Sequence, residues 1–258
     1  MRGIFRRVPT LARETRVDRS AALSSLAARP PAVQALPRLA MLLLAVLCVV
    51  FLLDDAMPYL HYSEATYERF WNRSVLLLVH VIGGSIGLLT GLFQLWSGLT
   101  RRMRTAHPLT GCVYLAGVTL SSTTAIALAL QTEVWTFGVA LFVGAFLWLA
   151  TTSLAVYELI LGRIDAHRDW MWRSYILTFS FVSFRLVLEL PWVEGLGTEA
   201  EIATTFGWLS FVAPLSIYEF ARQWRHDSLT ASVSRSTSQA ASGASTAQPL
   251  VQKSARGR

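Results

Sequence analysis

The chain has 258 residues, of which 53% are hydrophobic and 15% charged, and its mean hydropathy is +0.44. Soluble domains carry roughly 25% charged residues, so this composition excludes an ordinary water-soluble fold. The formal net charge of +7 sits in tails and short loops rather than on a soluble face. That distribution excludes nucleic acid as a partner and makes the lipid bilayer the expected one.

Residues 1–35 form an expected disordered tail, rich in Arg, Ala and Ser, with Arg2, Arg6, Arg7, Arg13, Arg16, Arg19 and Arg29 against Glu14 and Asp18. Such a start is similar to an organellar transit peptide, but a cytoplasmic tail lying on anionic lipid accounts for it more simply. The first apolar run, Leu39–Leu53, reaches only about 22 Å by helical rise, so a helix over 36–57 is needed to cross a core of about 30 Å. No small-residue cleavage site follows it, so it reads as a retained anchor. Further spans are expected at about 74–98, 109–130, 134–160, 172–192 and 203–222, with a low-complexity, disordered tail over 223–258.

The loops set the expected orientation. Arg101, Arg102 and Arg104 lie in one connection and Arg163 and Arg168 in another, while the alternate connections carry Glu133, Glu194, Glu199 and Glu201. Positive charge stays inside, so both termini are expected in the cytoplasm of a bacterial inner membrane. Arg69 and Arg73, in loop 56–73, agree least with that assignment.

Within the second span, His80, Gly84, Gly87, Gly91, Gln94 and Gly98 are spaced 4, 3, 4, 3 and 4, which puts them on one stripe of small or polar residues. Gly84, Gly87 and Gly91 are therefore expected to admit a neighbouring helix backbone closely. The third, fourth and fifth spans each carry one small or polar face, and the first is almost uniformly apolar. The expected fold is an all-α membrane bundle of six helices. Helices two to five form a four-helix core over 74–190, with the first and sixth outside it.

Depth sorts the polar residues into two layers. His80, Arg185 and Glu189 form an expected outer-leaflet cluster, with Arg185 and Glu189 four apart and able to pair. Gln94, His107, Tyr114, Glu158, His167, Arg168 and Arg173 gather at the inner ends. Cys48 and Cys112 lie in apolar runs and form no disulfide or metal motif. No GxGxxG, P-loop, HExxH or GxSxG pattern is present, and no polar segment is long enough to hold a soluble catalytic domain.

Several stretches together carry a family resemblance: His80-Val-Ile-Gly-Gly, Gly91-Leu-Phe-Gln94, His107-Pro-Leu-Thr-Gly111-Cys-Val-Tyr114, His167-Arg168-Asp-Trp170-Met171-Trp-Arg173-Ser174, and Arg185. They resemble the bacterial membrane family catalogued as domain of unknown function 2306, over roughly residues 74–190. The resemblance implies the fold and no established activity.

Three functions fit these residues. A non-catalytic accessory membrane protein explains nearly every position as packing or anchoring, with protein partner and oligomeric state unspecified. A b-type haem protein would use His107 and His167 as ligands from facing helices, with Arg168, Arg173 or Arg104 at the propionates; a weaker outer pair would be His80 with His61. No metal other than that haem is indicated. A small transporter or proton path would use His80, Arg185 and Glu189, although no inverted repeat or Pro-broken helix pair is visible.

Overall fold

A computed structural model describes the backbone of residues 31–246. The expected tail over 1–30, and the last part of the expected C-terminal tail, 247–258, lie outside the described residues. The described residues divide into two compact units, 31–49 and 50–246. In the first, helix α1 (Pro31–Phe51) presents exposed Leu39, Leu42, Leu43, Val46 and Val49, the surface a lipid-facing helix requires. It reaches at least five residues further toward the N-terminus than the sequence reading placed it.

The second unit starts with the end of α1, a wide turn over Leu52–Ala56 and 3-10 turns at Met57–Leu60 and Glu68–Arg73. Five long helices follow: α2 (Ser74–Thr100), α3 (Ala106–Ala129), α4 (Trp135–Ile160), α5 (Ile164–Leu188) and α6 (Glu199–Thr246). No strand occurs among the described residues. Helices α2, α3, α4 and α5 pack in sequence and close into a ring through α2 against α5, while α6 lies on α4 and α5. The molecule is thus an all-α membrane bundle with α2–α5 as its core.

Five helical segments have the length and apolar composition to cross a bilayer: 38–60, 64–100, 106–129, 135–160 and 199–228. Helix α5 is long enough, about 37 Å by helical rise, but Asp165, Arg168, Asp169, Arg173 and Arg185 dilute its apolar character. A ring of neighbours shelters it instead, with Leu177 and Val182 almost fully buried.

The ring is tight because α2 and α3 meet backbone to backbone. A Cβ on Gly117 would stand 2.8 Å from Gly83 O and 2.9 Å from Gly87 N, so only glycine fits there. A Cβ on Gly91 would meet the Tyr175 and Tyr114 rings at 2.6–2.8 Å. At Gly84 the nearest atom is Ser121 Oγ at 3.3 Å, and at Gly87 the nearest are Trp148 and Val118 at 3.7 Å, an ordinary contact. The small-residue stripe therefore faces α3 along its length and reaches α4 and α5 at two points. Its partner glycine, Gly117, belongs to a helix whose own pattern gives less notice of it.

Two ends differ from the sequence expectation. Helix α5 stops at Leu188, so Glu189 to Trp192 form a turn rather than the last turn of a span; Pro191 cannot continue a helix. Helix α6 runs on through 223–246, where low complexity suggested no structure; Ser and Thr dominate that stretch, so helix propensity does not account for the extension, although it holds a single glycine and no proline.

Candidate functional site

At the end of the bundle where α2 begins, a cavity of 530 Å³ opens between α2, α5, the start of α6 and the segment 51–73. Its deep walls are apolar and aromatic: Leu77, Val81, Leu88, Phe137, Leu141 and Phe181. Thr178 and His80 supply polar atoms deep in the bundle, and charged residues surround the mouth.

His80 is held by α3. Its Nδ1 lies 2.9 Å from the Ser121 carbonyl oxygen and 3.0 Å from Ser121 Oγ, while that hydroxyl donates to His80 O at 2.9 Å. A carbonyl has no proton to give, so Nδ1 carries the hydrogen and donates it. Nε2 is then the bare nitrogen, and it has no hydrogen-bond partner among the described residues. Every fully buried side-chain nitrogen and oxygen among those residues is paired, so Nε2 is accessible, and the space His80 lines is the cavity. The Phe181 ring meets the imidazole edge-on at 5.3 Å.

The mouth carries two guanidinium groups on one aromatic ring. Arg69 lies 5.0 Å and Arg73 5.6 Å from the Phe70 centroid. Arg73 also donates to Gln131 O, and neither arginine has a carboxylate within ion-pair distance among the described residues. Each guanidinium has five N–H donors, so most of this pair's donors remain available. Arg185 lines the same cavity and faces Asp55 at 3.8 Å. This corrects the expected Arg185–Glu189 pair: Glu189 follows the last turn of α5 and does not line the cavity. Glu133 and Glu199 complete the rim, both exposed.

The expected inner-side residues do not form one cluster. Gln94 is buried and donates to His107 O at 2.7 Å and Thr110 Oγ1 at 2.6 Å, its amide lying over Gly111. His107 Nδ1 is 2.7 Å from Ser97 Oγ. His167 Nδ1 donates to Ala155 O at 2.8 Å. Like that of His80, its Nε2 is without a partner among the described residues.

Tyr114 lies deeper, at the centre of a hydroxyl network. Its OH is 2.6 Å from Ser174 Oγ and 2.9 Å from Thr178 Oγ1; Ser174 meets Thr152 at 2.6 Å, and Trp148 Nε1 donates to Thr178 at 2.9 Å. The remaining charges are spent on neighbours at the helix ends. Glu158 pairs with Arg163 at 3.3 Å and Arg168 with Asp165 at 3.2 Å. Arg173 reaches Glu219 at 2.5 Å between the Trp170 and Tyr218 rings, and Arg222 holds Asp169 at 2.6 Å. These contacts bind α5 to α6 and leave no cationic group free for a ligand at Arg173.

Asp55, Arg69 and Arg73 line the cavity but were not among the expected site residues. Asp55 ends an apolar run in a form that any helix boundary could take. Arg69 and Arg73 were visible as the misfit in the charge alternation, and the cavity mouth is where that misfit lies.

No curated protein and no solved structure matches this chain. The family described as "Predicted membrane protein (DUF2306)" matches residues 77–221, which takes in α2–α5 and the apolar part of α6. The chain belongs to that family, and its function is open.

Proposed function

We propose that this is a non-catalytic membrane protein that binds an anionic amphiphile in the cavity beside His80. One observation carries the reading: an apolar, aromatic-walled cavity of 530 Å³ whose mouth bears two arginines stacked on Phe70 with no carboxylate partner. Ligand pockets are of about this size, about 300–1,000 Å³, and pair apolar walls with a few fixed polar groups. Charge inside a membrane bundle is costly, so unpaired cations at a cavity mouth favour a negatively charged head placed there. With the basic loops facing the cytoplasm, the cavity opens on the outer side of a bacterial inner membrane.

The test is to extract organic-soluble compounds from the purified protein and identify them by mass spectrometry. A Ser85→Trp variant fills the cavity from α2 and is expected to lose the bound amphiphile at least tenfold. Equal recovery from the filled variant would mean that the compounds are only annular lipid, and the reading would fail.

A second reading is haem held between His107 and His167. It is favoured by the way Ala155 O and Ser97 Oγ anchor the Nδ1 atoms of His167 and His107. A reduced-minus-oxidised absorption spectrum tests it: bands lost in both His107→Ala and His167→Ala establish it, and a colourless preparation from haem-replete cells removes it.

A further inference from the structure

The hydrogen bonding of His80 narrows the ligand class. We infer that the amphiphile in the cavity is a metalloporphyrin of the haem b type, bound through His80 Nε2, with its two propionates at Arg69 and Arg73. The inference rests on the cavity reading above and names its occupant.

His80 offers the cavity a lone pair and not a proton, because Ser121 O takes the Nδ1 hydrogen. A group placed against Nε2 must therefore accept an electron pair or donate a hydrogen bond. A metal ion meets this demand best. Metal-bound histidines characteristically donate their other ring N–H to a carbonyl or carboxylate, which fixes the tautomer and raises the basicity of the ligating nitrogen. Here α3 supplies that carbonyl, and Ser121 is itself fully buried. No group of three or more His, Cys, Asp and Glu side chains among the described residues could hold a bare metal ion, so the metal must arrive with its own equatorial ligands.

The rest of the cavity suits a flat, aromatic, dianionic carrier. Phe137, Phe181 and Phe184 provide aromatic surface on α4 and α5. Arg73 immediately precedes α2 and His80 lies seven positions on, roughly 10 Å by helical rise, a span comparable to that between a porphyrin metal and its propionate carboxylates. Two guanidinium groups on one ring match two carboxylates in number. A phospholipid would satisfy the arginines, but it would place only hydrocarbon against Nε2.

The cavity also bears on coordination. No other described lining residue is His, Cys or Met, and Tyr59 is the one further side chain of a type that ligates haem iron, so His80 would be the sole nitrogen ligand. This differs from a two-histidine haem and predicts a high-spin spectrum. It also predicts that the reduced form takes up carbon monoxide.

The experiment titrates haemin into the full-length protein in detergent and follows the absorption spectrum. Saturable one-to-one binding is expected, with a high-spin spectrum, carbon monoxide uptake after reduction, and at least tenfold weaker binding in Arg69→Gln/Arg73→Gln. His80→Gly is expected to lose the spectrum and regain it when imidazole is added, a rescue that a misfolded variant would not show. His107→Ala and His167→Ala are expected to leave it unchanged.

A spectrum identical to haemin in empty micelles would overturn the proposal. So would a spectrum indifferent to His80 and lost with His107. If haemin fails while mass spectrometry still finds an amphiphile lost on Ser85→Trp, the cavity reading stands and the metalloporphyrin alone is wrong.

Discussion

The middle of the bundle and its His80 end use the same kinds of residue to opposite effect. Around Tyr114, five polar side chains from three helices satisfy one another at 2.6–2.9 Å, and Tyr114 and Ser174 are fully buried. Their hydrogen bonds are spent within the network, and Thr178 alone of the five also borders the cavity. At the His80 end, the histidine is anchored through one nitrogen and bare at the other, and two arginines stack on Phe70 with no carboxylate within ion-pair distance among the described residues. Buried polarity as such therefore does not mark a site. What marks one is bonding capacity left unspent beside a volume large enough to be filled.

Both regions are built within the close ring of helices, and the largest expected effect comes from opening it. Gly117→Ala would place a methyl group against backbone atoms of both Gly83 and Gly87, which no rotamer change relieves. A loss of about 3 kcal/mol is expected, seen as a large fall in the melting temperature of detergent-solubilised protein. Gly87→Ala meets nothing closer than 3.7 Å, an ordinary contact, and should change stability by under about 0.5 kcal/mol. Equal effects at the two positions would mean that α2 and α3 do not touch along this line.

A smaller effect is expected within the closed network. Tyr114→Phe removes one hydroxyl, while Thr178 keeps Trp148 Nε1 and Ser174 keeps Thr152. The cost should be about 1 kcal/mol, with amphiphile and haemin binding unaffected. A loss of binding at constant melting temperature would show that the network belongs to the cavity, and the distinction between the two regions would break.

How much of this was legible follows from which physical effects are periodic. Apolar runs and the 4-3-4 stripe on α2 gave the spans and the four-helix core, because helix geometry projects them directly onto one face. His80 and Arg185 were legible as costly intramembrane groups. Their partners were not. Ser121 is one of four consecutive hydroxyl residues on α3, and which of them meets His80 depends on the crossing of α2 and α3. Asp55 displaces Glu189 as the partner of Arg185 because α5 ends a residue short of Glu189 and the chain after α1 folds back over the cavity. That return is a tertiary event across 130 residues of sequence. Local spacing cannot encode it.

The Arg185–Asp55 contact gives the smallest expected effect and the sharpest remaining test of the comparison. The two groups are 3.8 Å apart, with the arginine side chain 47% and the aspartate 16% exposed. A pair that open to its surroundings couples weakly, by about 0.5 kcal/mol. A double-mutant cycle with Arg185→Leu and Asp55→Asn, read by melting temperature, should find no more than that. Stability is then not why a membrane helix carries this arginine. If Arg185 serves the cavity, Arg185→Leu should weaken amphiphile retention several-fold while the folded protein is recovered in full, and Asp55→Asn alone should not. A parallel loss of folded protein and of ligand would instead make Arg185 a structural clasp between α5 and the segment after α1. The open end of the bundle would then depend on His80, Arg69 and Arg73 alone.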